Sequence, residues 1–312
     1  MRDYVLFGDC RDSLKIIANE EEKARMCVTS PPYYGLRDYG GEDKQIGQEQ
    51  SPEQYVEEMV KVFALVRDCL TDDGTLWLNI GDSYYNYRPG KGQALNKQSV
   101  SNTKQDLPDE CPRRGNKLEG LKEKDLIGIP WMLAFALRAD GWYLRQDIIW
   151  HKPNPMPESV KDRCTKSHEY IFLLSKSKKY YYDNEAIKEP AKDWGTRDRT
   201  NGKYHNTGTG LQPHSGLSKS YPMKNKRSVW SVTNKPYKGA HFACYPPDLI
   251  EPCILAGSEE GDIILDPFMG SGTTAMVAKK NSRSYYGCEL HKEYASLQTD
   301  RISTIPNKLP LY

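Results

Sequence analysis

The chain lacks several features that assign proteins to common classes. Its longest uninterrupted apolar run, residues 131–137, is too short to cross a bilayer. None of its eight cysteines forms a Cys-x-x-Cys pair, which favours reduced, unpaired thiols over zinc ligands or disulfides. No internal repeat and no targeting segment is recognisable. We therefore expect no metal site and no membrane partner, and the formal net charge of only +2 does not by itself indicate nucleic acid binding.

What the sequence does contain is a regular α/β pattern. Short apolar runs suited to buried strands, such as residues 262–265, alternate with helical stretches such as residues 53–70. This alternation predicts a doubly wound, mostly parallel sheet with helices on both faces. Residues 131–137 fit a buried helix that Pro130 begins and that ends before Gly141. A chain of 312 residues can form one large α/β core with an inserted region.

A glycine-rich segment, Asp266-Pro267-Phe268-Met269-Gly270-Ser271-Gly272-Thr273, lies between the strand expected at 262–265 and a helix expected at 273–280. Gly270 and Gly272 have no side chains, so the backbone can approach a ligand closely. In open α/β sheets, ligands usually bind at the carboxyl ends of the strands. The segment therefore predicts a small-molecule site at the edge of the sheet.

Glu289 narrows the class of ligand. It lies twenty-three residues beyond Asp266, a spacing that suits a carboxylate bound to ribose hydroxyls. No Lys follows Gly272, which argues against a phosphate-binding P-loop, and the third glycine of the dinucleotide fingerprint is missing. The pattern favours a nucleoside ligand without a pyrophosphate. An ordinary tight turn at Gly270-Ser271-Gly272 is the alternative interpretation.

A second motif, Ser30-Pro31-Pro32-Tyr33, follows a strand expected at 24–28. Two successive prolines remove two amide donors and leave backbone carbonyls as acceptors. Ser30 adds a hydroxyl oxygen, and Tyr33 offers a flat ring for stacking. These groups could hold a planar ring by its exocyclic amine. The competing interpretation is a strand that ends in prolines beside a buried tyrosine.

Together, the two motifs resemble the amino-group DNA methyltransferases that use S-adenosylmethionine, in the circularly permuted order called the β class. In that class the Ser/Asp-Pro-Pro-Tyr element comes first, a target-recognition region follows, and the cofactor glycine loop comes last, as in this chain. Other segments resemble core strands of the family and a helix that packs on the cofactor: residues 72–82, 141–154, 168–174 and 242–250. The resemblance covers most of the chain and implies a class I, Rossmann-like core.

The resemblance also implies roles for individual residues. Ser30, Pro31, Pro32 and Tyr33 would form the catalytic element, in which Ser30 and the Pro31 carbonyl accept the hydrogens of the target amine. Asp9, in an opening Gly-Asp element, would face the cofactor, although Gly-Asp is also ordinary turn chemistry. The cofactor-binding residues implied are Asp9, Asp266, Pro267, Phe268, Gly270, Gly272, Thr273 and Glu289.

The implied reaction is direct transfer, in which the amine attacks the sulfonium methyl in line without a covalent enzyme intermediate. Orientation of the reacting atoms carries most of such catalysis. A base inside duplex DNA is inaccessible, so it must be flipped out and stacked on Tyr33. A ring-carbon cytosine methyltransferase would need a nucleophilic cysteine in a Pro-Cys-Gln setting, and neither Pro252-Cys253-Ile254 nor Cys111-Pro112 provides it.

Ser30 bears on the choice of base. Within the family, Ser before Pro-Pro-Tyr resembles the cytosine-N4 enzymes, whereas Asp or Asn resembles the adenine-N6 enzymes. Cytosine N4 is therefore the favoured target, with adenine N6 as the alternative. More remote alternatives are a DNA-binding regulator with an inactive core and a methyltransferase that acts on RNA or protein. Intact Ser30, Tyr33, Gly270 and Glu289 argue against an inactive core.

The basic residues are concentrated in one part of the chain. Residues 176–240 contain fourteen Lys or Arg against five Asp or Glu, which locates an electrostatic footprint for DNA. The stretch is also rich in small polar residues with interspersed Trp and Tyr, as expected of a loop-rich reader of phosphates and base edges. A solvated linker is the alternative. The phosphate contacts that we expect here are Lys224, Lys226 and Arg227.

A second irregular insertion, at about 86–120, includes Arg113 and Arg114, which we also expect to contact DNA. The insertion is either an arm that closes on DNA or a disordered loop. The chain then divides into a catalytic half of the core (1–183), a target-recognition region (184–240) and a cofactor-binding half (241–312). The expected partner is double-stranded DNA. The resemblance further implies a separately acting restriction endonuclease and a cytoplasmic protein of bacterial, archaeal or phage origin.

Overall fold

The computed structural model describes residues 2–35, 45–85, 118, 120–191, 222–234 and 245–305. Its main sheet contains the strands β1 (Tyr4–Phe7), β2 (Ala24–Thr29), β3 (Leu70–Ile80), β4 (Tyr143–His151), β5 (His168–Ser175), β8 (Val229–Ser231), β9 (Ile263–Asp266) and β10 (Ser284–Glu289). The spatial order is β1-β10-β9-β2-β3-β5-β4-β8. Two further strands, β6 (Glu189–Pro190) and β7 (Met223–Lys224), pair as a short antiparallel ribbon.

The sheet is mostly parallel, as predicted. β1, β10, β9, β2 and β3 run in one direction, and β5 runs against both of its neighbours, β3 and β4. Strands such as β9, in which every residue is buried, are apolar except for the terminal Asp266, because helices cover both faces of the sheet.

The described helices lie on the two faces of the sheet: α1 (Cys10–Ile17), α2 (Pro52–Cys69), α3 (Ile129–Ala139), α4 (Pro247–Gly257), α5 (Thr273–Lys280) and α6 (Ala295–Ser303). On one face, Leu76 and Leu78 of β3 pack with Phe63 of α2. On the other, Trp77 packs with Val277 of α5. Successive strand residues point to opposite faces, so β3 contributes to both cores and the doubly wound architecture is confirmed.

The helix boundaries follow local sequence signals. α2 begins at Pro52, and the hydroxyl of Ser51 caps it by accepting the N–H of Gln54 at 3.3 Å. α3 includes the predicted 131–137, but it is not fully buried. Phe135 is 48% exposed and lies under the guanidinium of Arg138, because the opposite side of α3 faces the core. No helix in the described ranges is long and apolar enough to span a membrane.

The topology brings the two sequence motifs to one edge of the sheet. β2 and β9 are parallel neighbours, with Cys27 opposite Leu265. Helix α2, which follows β2, packs on one face of the sheet. Helix α5, which follows β9, packs on the opposite face, since the two helices belong to different cores. A crevice forms where consecutive connections leave a sheet toward opposite faces. The loops that follow β2 and β9 therefore border the same crevice.

Candidate active site

The glycine loop after β9 adopts a backbone that requires glycine. Gly270 and Gly272 have φ angles of 52° and 82°, in the left-handed region that other residues rarely adopt. A Cβ on Gly272 would also lie 3.2 Å from the Cα of Gln298. The Gly272 N–H donates to the Met269 carbonyl at 3.0 Å, and α5 begins at the next residue. The tight turn is therefore real, and it stands at the edge where a ligand site was predicted.

Asp266 lies beneath this loop and is only 1% exposed. Its Oδ1 accepts hydrogen bonds from the Thr29 hydroxyl at 2.6 Å and the Phe268 N–H at 3.0 Å. Its Oδ2 accepts from the hydroxyls of Tyr245 at 3.1 Å and Thr274 at 2.5 Å. Burial raises the pKa of this carboxyl, and the hydrogen bonds oppose the shift. Asp266 thus organises the loop from below, and its direct contact with a cofactor stays a prediction.

The bond from Thr29 to Asp266 connects the two motifs. Thr29 is the last residue of β2 and directly precedes Ser30, while Asp266 is the last residue of β9. The two residues are 237 positions apart in the chain. The Ser-Pro-Pro-Tyr segment and the glycine loop are consequently fixed to each other by a buried side-chain contact as well as by the strand pairing.

Glu289, at the end of β10, holds the loop from the side and is 7% exposed. Its Oε2 accepts the Gly270 N–H at 2.8 Å, and its Oε1 accepts the His291 N–H at 2.9 Å. Burial raises the pKa of Glu289, and these two N–H groups oppose the shift. Each carboxylate oxygen can accept a second hydrogen bond, so Glu289 keeps the capacity to bind ribose hydroxyls.

Helix α6, which no sequence motif identified, supports the loop from behind. The buried Gln298 donates from Nε2 to the Gly270 carbonyl at 2.8 Å, and the Arg301 guanidinium donates to the Ser271 hydroxyl at 2.7 Å. The sequence of α6 resembles an ordinary terminal helix. Only its packing against the loop shows that it positions the site.

Asp9, two residues after the end of β1, acts as the N-cap of α1. Its carboxylate accepts the Arg11 N–H at 2.8 Å and pairs with the Arg11 guanidinium at 2.6 Å. Arg11 also pairs with Glu58 at 2.9 Å. The preceding Gly8 N–H donates to the Glu289 carbonyl at 2.8 Å, so Asp9 lies beside the end of β10. Asp9 has the turn role that the sequence also indicated, and its contact with a cofactor stays a prediction.

The Ser-Pro-Pro-Tyr segment is held by α2. Pro31 is buried, and Ser30 and Pro32 are partly buried. The Pro32 carbonyl accepts the hydroxyl of Tyr55 at 2.9 Å and is therefore engaged. The Pro31 carbonyl has no donor in the described part of the chain, so it can serve as the amine acceptor that the sequence predicts.

Tyr33 is anchored by its hydroxyl group. This hydroxyl donates to Oε2 of Glu169 at 2.7 Å and lies 3.4 Å from Oδ1 of Asn79. A Cβ on Gly81 would stand 2.7 Å from Cε2 of the tyrosine ring, so the ring packs closely over this glycine. Burial raises the pKa of Tyr33 well above its usual range, Glu169 adds to the shift, and the neighbouring Ser30 side chain opposes it.

Sequence reasoning missed the polar residues around the Tyr33 hydroxyl. Glu169 of β5 accepts hydrogen bonds from Lys152, just after β4, and from Asn79 of β3 at 3.3 Å. Because β5 is antiparallel to β3 and β4, its first residues reach the same edge as their last residues. The available signal was a carboxylate at the start of an apolar strand, and its meaning depends on the direction of that strand.

The predicted DNA contacts of the basic region differ in whether a nearby carboxylate balances their positive charge. Lys224 and Arg227 both pair with Oε1 of Glu189, at 3.2 and 2.5 Å, so part of their charge is balanced. Lys226 lies over the ring of Trp230 at 5.1 Å and has no ion pair with any residue that the structure describes.

The basic region is not separate from the core. Its strand β8 pairs in parallel with β4, with Val229 opposite Ile149, and thereby extends the edge of the main sheet. The other predicted DNA contacts, Arg113 and Arg114, lie outside the described residues.

Cys253 is the described cysteine whose sequence setting comes nearest to that of a catalytic nucleophile. Cys253, the cysteine preceded by proline, is fully buried, and burial raises the pKa of its thiol. A buried, protonated thiol is a poor nucleophile. For Cys253, burial therefore argues against a nucleophilic role, whereas Cys111 and Cys244 lie outside the described residues.

Comparisons with known proteins identify the family. A family model described as DNA methylase matches residues 24–300. The Type II methyltransferase M.XycI of Xanthomonas campestris pv. cyanopsidis is 49% identical over 303 residues, which are 97% of this chain and 88% of that protein. The Type II methyltransferase M.SmaI of Serratia marcescens is 47% identical over 298 residues, 96% of this chain and 90% of that protein.

Solved structures share the fold at lower identity. The PvuII DNA methyltransferase, described as cytosine-N4-specific, has a TM-score of 0.63 and 18% identity, and the match covers 99% of this chain and 88% of that one. A putative DNA modification methylase of Thermus thermophilus, solved in complex with S-adenosyl-L-methionine, has a TM-score of 0.59 and 21% identity over 98% and 95%. Because the family model and the curated relatives span nearly the whole chain, the predicted resemblance is confirmed: the chain belongs to the N6/N4 DNA methylase family and is a DNA methyltransferase.

Proposed function

We propose that the chain transfers a methyl group from S-adenosylmethionine to N4 of a cytosine flipped out of double-stranded DNA. Adenine N6 is the alternative target. The observation that carries the proposal is the 2.6 Å hydrogen bond from Thr29 to Asp266, which fixes the Ser30 segment against the glycine loop. This contact supports an amine-binding site and a cofactor site at one crevice, as direct transfer between two bound molecules requires.

The loop after β9 and the end of β10 fit the cofactor. Gly270 and Gly272 present no side chains, and the buried Glu289 keeps acceptor capacity for ribose hydroxyls. When bound, S-adenosylmethionine supplies an electrophilic methyl group on a sulfonium sulfur. The other residues of the proposed binding set are Asp9, Asp266, Pro267, Phe268 and Thr273.

The acceptors after β2 would orient the target amine. The Ser30 hydroxyl and the Pro31 carbonyl would accept its two hydrogens, which moves electron density onto a nitrogen that is otherwise conjugated with the ring. The Tyr33 ring would stack on the flipped base. Stacking of a base on an aromatic side chain is worth about 1–3 kcal/mol, which offsets part of the unstacking cost of a few kcal/mol. No covalent intermediate is required.

Ser30 favours cytosine over adenine as the target. Serine at this position is associated with cytosine-N4 enzymes within the family, and the structurally similar PvuII methyltransferase is described as cytosine-N4-specific. Both bases present a ring-conjugated amine, so adenine N6 is kept as the second candidate.

We further infer that residues 184–240 read the DNA, between a catalytic half at 1–183 and a cofactor-binding half at 241–312. The excess of positive charge in the sequence of this region supports that role, and among its described residues Lys226 is the cation that has no ion pair. The names of the relatives as Type II methyltransferases support a companion restriction endonuclease that acts separately. Their bacterial origin supports a cytoplasmic location.

Nucleoside mass spectrometry tests the proposal. Methyl-free plasmid DNA is incubated with the purified chain and S-adenosylmethionine, and we expect N4-methylcytosine. N6-methyladenine would refute the inference from Ser30 but keep the mechanism, and the absence of any modified base would contradict the proposal.

The stacking role is tested separately. Tyr33→Ala should bind the cofactor but lose transfer, whereas Tyr180→Ala is a matched control, because Tyr180 lies beyond the opposite end of β5, beside Arg145. Equal transfer by the two variants would exclude a stacking role for Tyr33.

A further inference from the structure

Four polar side chains from four segments form a cluster beside the candidate amine site. The Glu169 cluster consists of Tyr33 after β2, Asn79 in β3, Lys152 after β4, and Glu169 in β5. Glu169 is its centre, because its Oε2 accepts the Tyr33 hydroxyl at 2.7 Å and the Asn79 amide at 3.3 Å, while its Oε1 pairs with Lys152. None of the functions assigned above to Ser30, the glycine loop or Glu289 explains this cluster.

The charges of the cluster are balanced and shielded. The side chains of Lys152 and Glu169 are 17% and 16% exposed, so each would be costly to bury without the other. Lys152 also lies over the ring of Trp150 at 4.2 Å, which limits its movement. An ionised acceptor forms a stronger hydrogen bond than a neutral one, so Glu169 holds the Tyr33 hydroxyl more firmly than a neutral side chain would.

The tyrosine ring is constrained at two points. Its hydroxyl is fixed by Glu169, and its Cε2 edge packs over Gly81, where a Cβ would lie 2.7 Å from Cε2 and 3.3 Å from Cδ of Glu169. A ring that is fixed at its tip and along one edge cannot turn without breaking one of these contacts. The same contacts hold the hydroxyl of Tyr33 close to Ser30.

We propose that Glu169 is a positioning residue for methyl transfer: by holding the Tyr33 hydroxyl, it sets the plane on which the target base stacks and the place of the neighbouring Ser30. This inference rests on the proposed function. Glu169 does not contact the reacting atoms, and it acts through Tyr33. Lys152 supports it by pairing with the carboxylate and holding it in place.

A purely structural role for Glu169 predicts a different result. If the cluster only stabilises the sheet edge, its loss lowers the free energy of unfolding and the folded fraction, but each folded molecule transfers methyl groups at the original rate. A positioning role lowers the rate constant of the folded enzyme and leaves cofactor binding unchanged. The two roles are separated by single-turnover kinetics on protein whose folded concentration is known.

The experiment is a double-mutant cycle with Glu169→Gln, Tyr33→Phe and the double variant. Glutamine keeps the shape and one acceptor oxygen but removes the charge. We expect Glu169→Gln to lower the single-turnover rate constant by roughly 10- to 100-fold, since a misplacement of about 1 Å costs about 100-fold, while the cofactor Kd changes by less than about twofold. In the Tyr33→Phe background, the same change should have little further effect, because the hydroxyl through which Glu169 acts is gone.

Glu251→Gln is the matched control, because Glu251 is also ion-paired, with Lys280 at 2.9 Å, but on α4 away from the crevice. Transfer by Glu169→Gln at the rate of the control would overturn the inference, and so would effects of Glu169→Gln and Tyr33→Phe that multiply independently. If the unsubstituted chain methylates no DNA, the proposed function fails and this inference fails with it. An active parent chain with an unaffected Glu169→Gln variant removes only the positioning role.

Discussion

Asp266 and Glu289 end the neighbouring strands β9 and β10, and burial raises the pKa of both carboxyls. They nevertheless differ in what they accept. The oxygens of Asp266 take four hydrogen bonds from the protein, three of them from hydroxyls. Those of Glu289 take two, from backbone N–H groups, which leaves capacity for a ligand. The number of hydrogen-bond donors that the protein supplies therefore distinguishes Asp266, which organises the loop, from Glu289, which can still bind a ligand.

The raised pKa of Glu289 leads to a pH dependence of cofactor binding. Its protonation begins at a higher pH than that of an exposed glutamate, and a protonated oxygen must donate where the Gly270 and His291 N–H groups require an acceptor. We expect the affinity for S-adenosylhomocysteine, which is the cofactor without its transferable methyl group, to fall as the pH decreases through this pKa. The effect on folding has the opposite sign: the native state binds this proton more tightly than the unfolded chain, so the contribution of Glu289 to the free energy of unfolding rises as the pH falls.

Isothermal titration calorimetry at a series of pH values, from about pH 8 down toward the ordinary glutamate pKa of about 4.3, measures this dependence. Glu289→Gln is the control. It should weaken binding by about 1.5–3 kcal/mol, the worth of a hydrogen bond to a charged group, and it should lack the part of the pH dependence that Glu289 contributes. Identical pH profiles for the parent and the variant would show that another group titrates.

Secondary-structure elements could be predicted from the sequence where their pattern is local. The glycine loop, β9 and α5 were recognisable because an apolar run, two glycines and a helical stretch follow one another within residues 262–280. The direction of β5 was not recognisable, because an antiparallel and a parallel buried strand have the same apolar composition. That direction decides which end of β5 reaches the crevice, so Glu169 was missed. Gln298 was missed for a similar reason, since its contact with Gly270 depends on how α6 packs.

The two ends of β3 give a matched test at the scale of elements. A Cβ on Gly74, near the start of the strand, would lie 2.9 Å from Leu70 Cβ and from the Thr71 carbonyl oxygen, and one on Gly81, just past its end, would lie 2.7 Å from the Tyr33 ring. Gly74→Ala crowds backbone, so we expect the free energy of unfolding to fall by about 1–3 kcal/mol without a change in the transfer rate of the folded enzyme. Gly81→Ala should instead displace the ring and lower that rate by up to about 100-fold.

Denaturant unfolding and single-turnover methyl transfer, measured on both glycine variants, separate these effects. The two variants should differ because the site lies at the carboxyl edge of the sheet, where Gly81 lies and Gly74 does not. Full transfer by Gly81→Ala would mean that the plane of the Tyr33 ring does not need to be fixed.

Positive and negative charges are unevenly distributed along the chain. Residues 176–240 have an excess of nine positive charges, whereas the remaining residues have an excess of seven negative charges, so the nearly neutral total conceals a strong asymmetry. Such a distribution orients the chain toward a polyanion through one region. Within the described part of that region, Glu189 opposes this effect, because it pairs with both Lys224 and Arg227.

Glu189→Gln therefore should release two cations for phosphate contacts and tighten binding to non-specific duplex DNA at low salt. Each phosphate neutralised changes the slope of log K against log[salt] by about −0.9, so the slope should become steeper by about one to two.

Lys226→Met, which removes a cation that has no ion pair among the residues described, should make the slope shallower by about 0.9. Fluorescence anisotropy with a labelled duplex over roughly 50–200 mM salt measures both changes. Glu251→Gln is the control, because it removes one negative charge, as Glu189→Gln does, but lies outside the basic region. If the two variants gave the same slope, the total charge of the protein, and not the residues around Glu189, would govern the encounter with DNA.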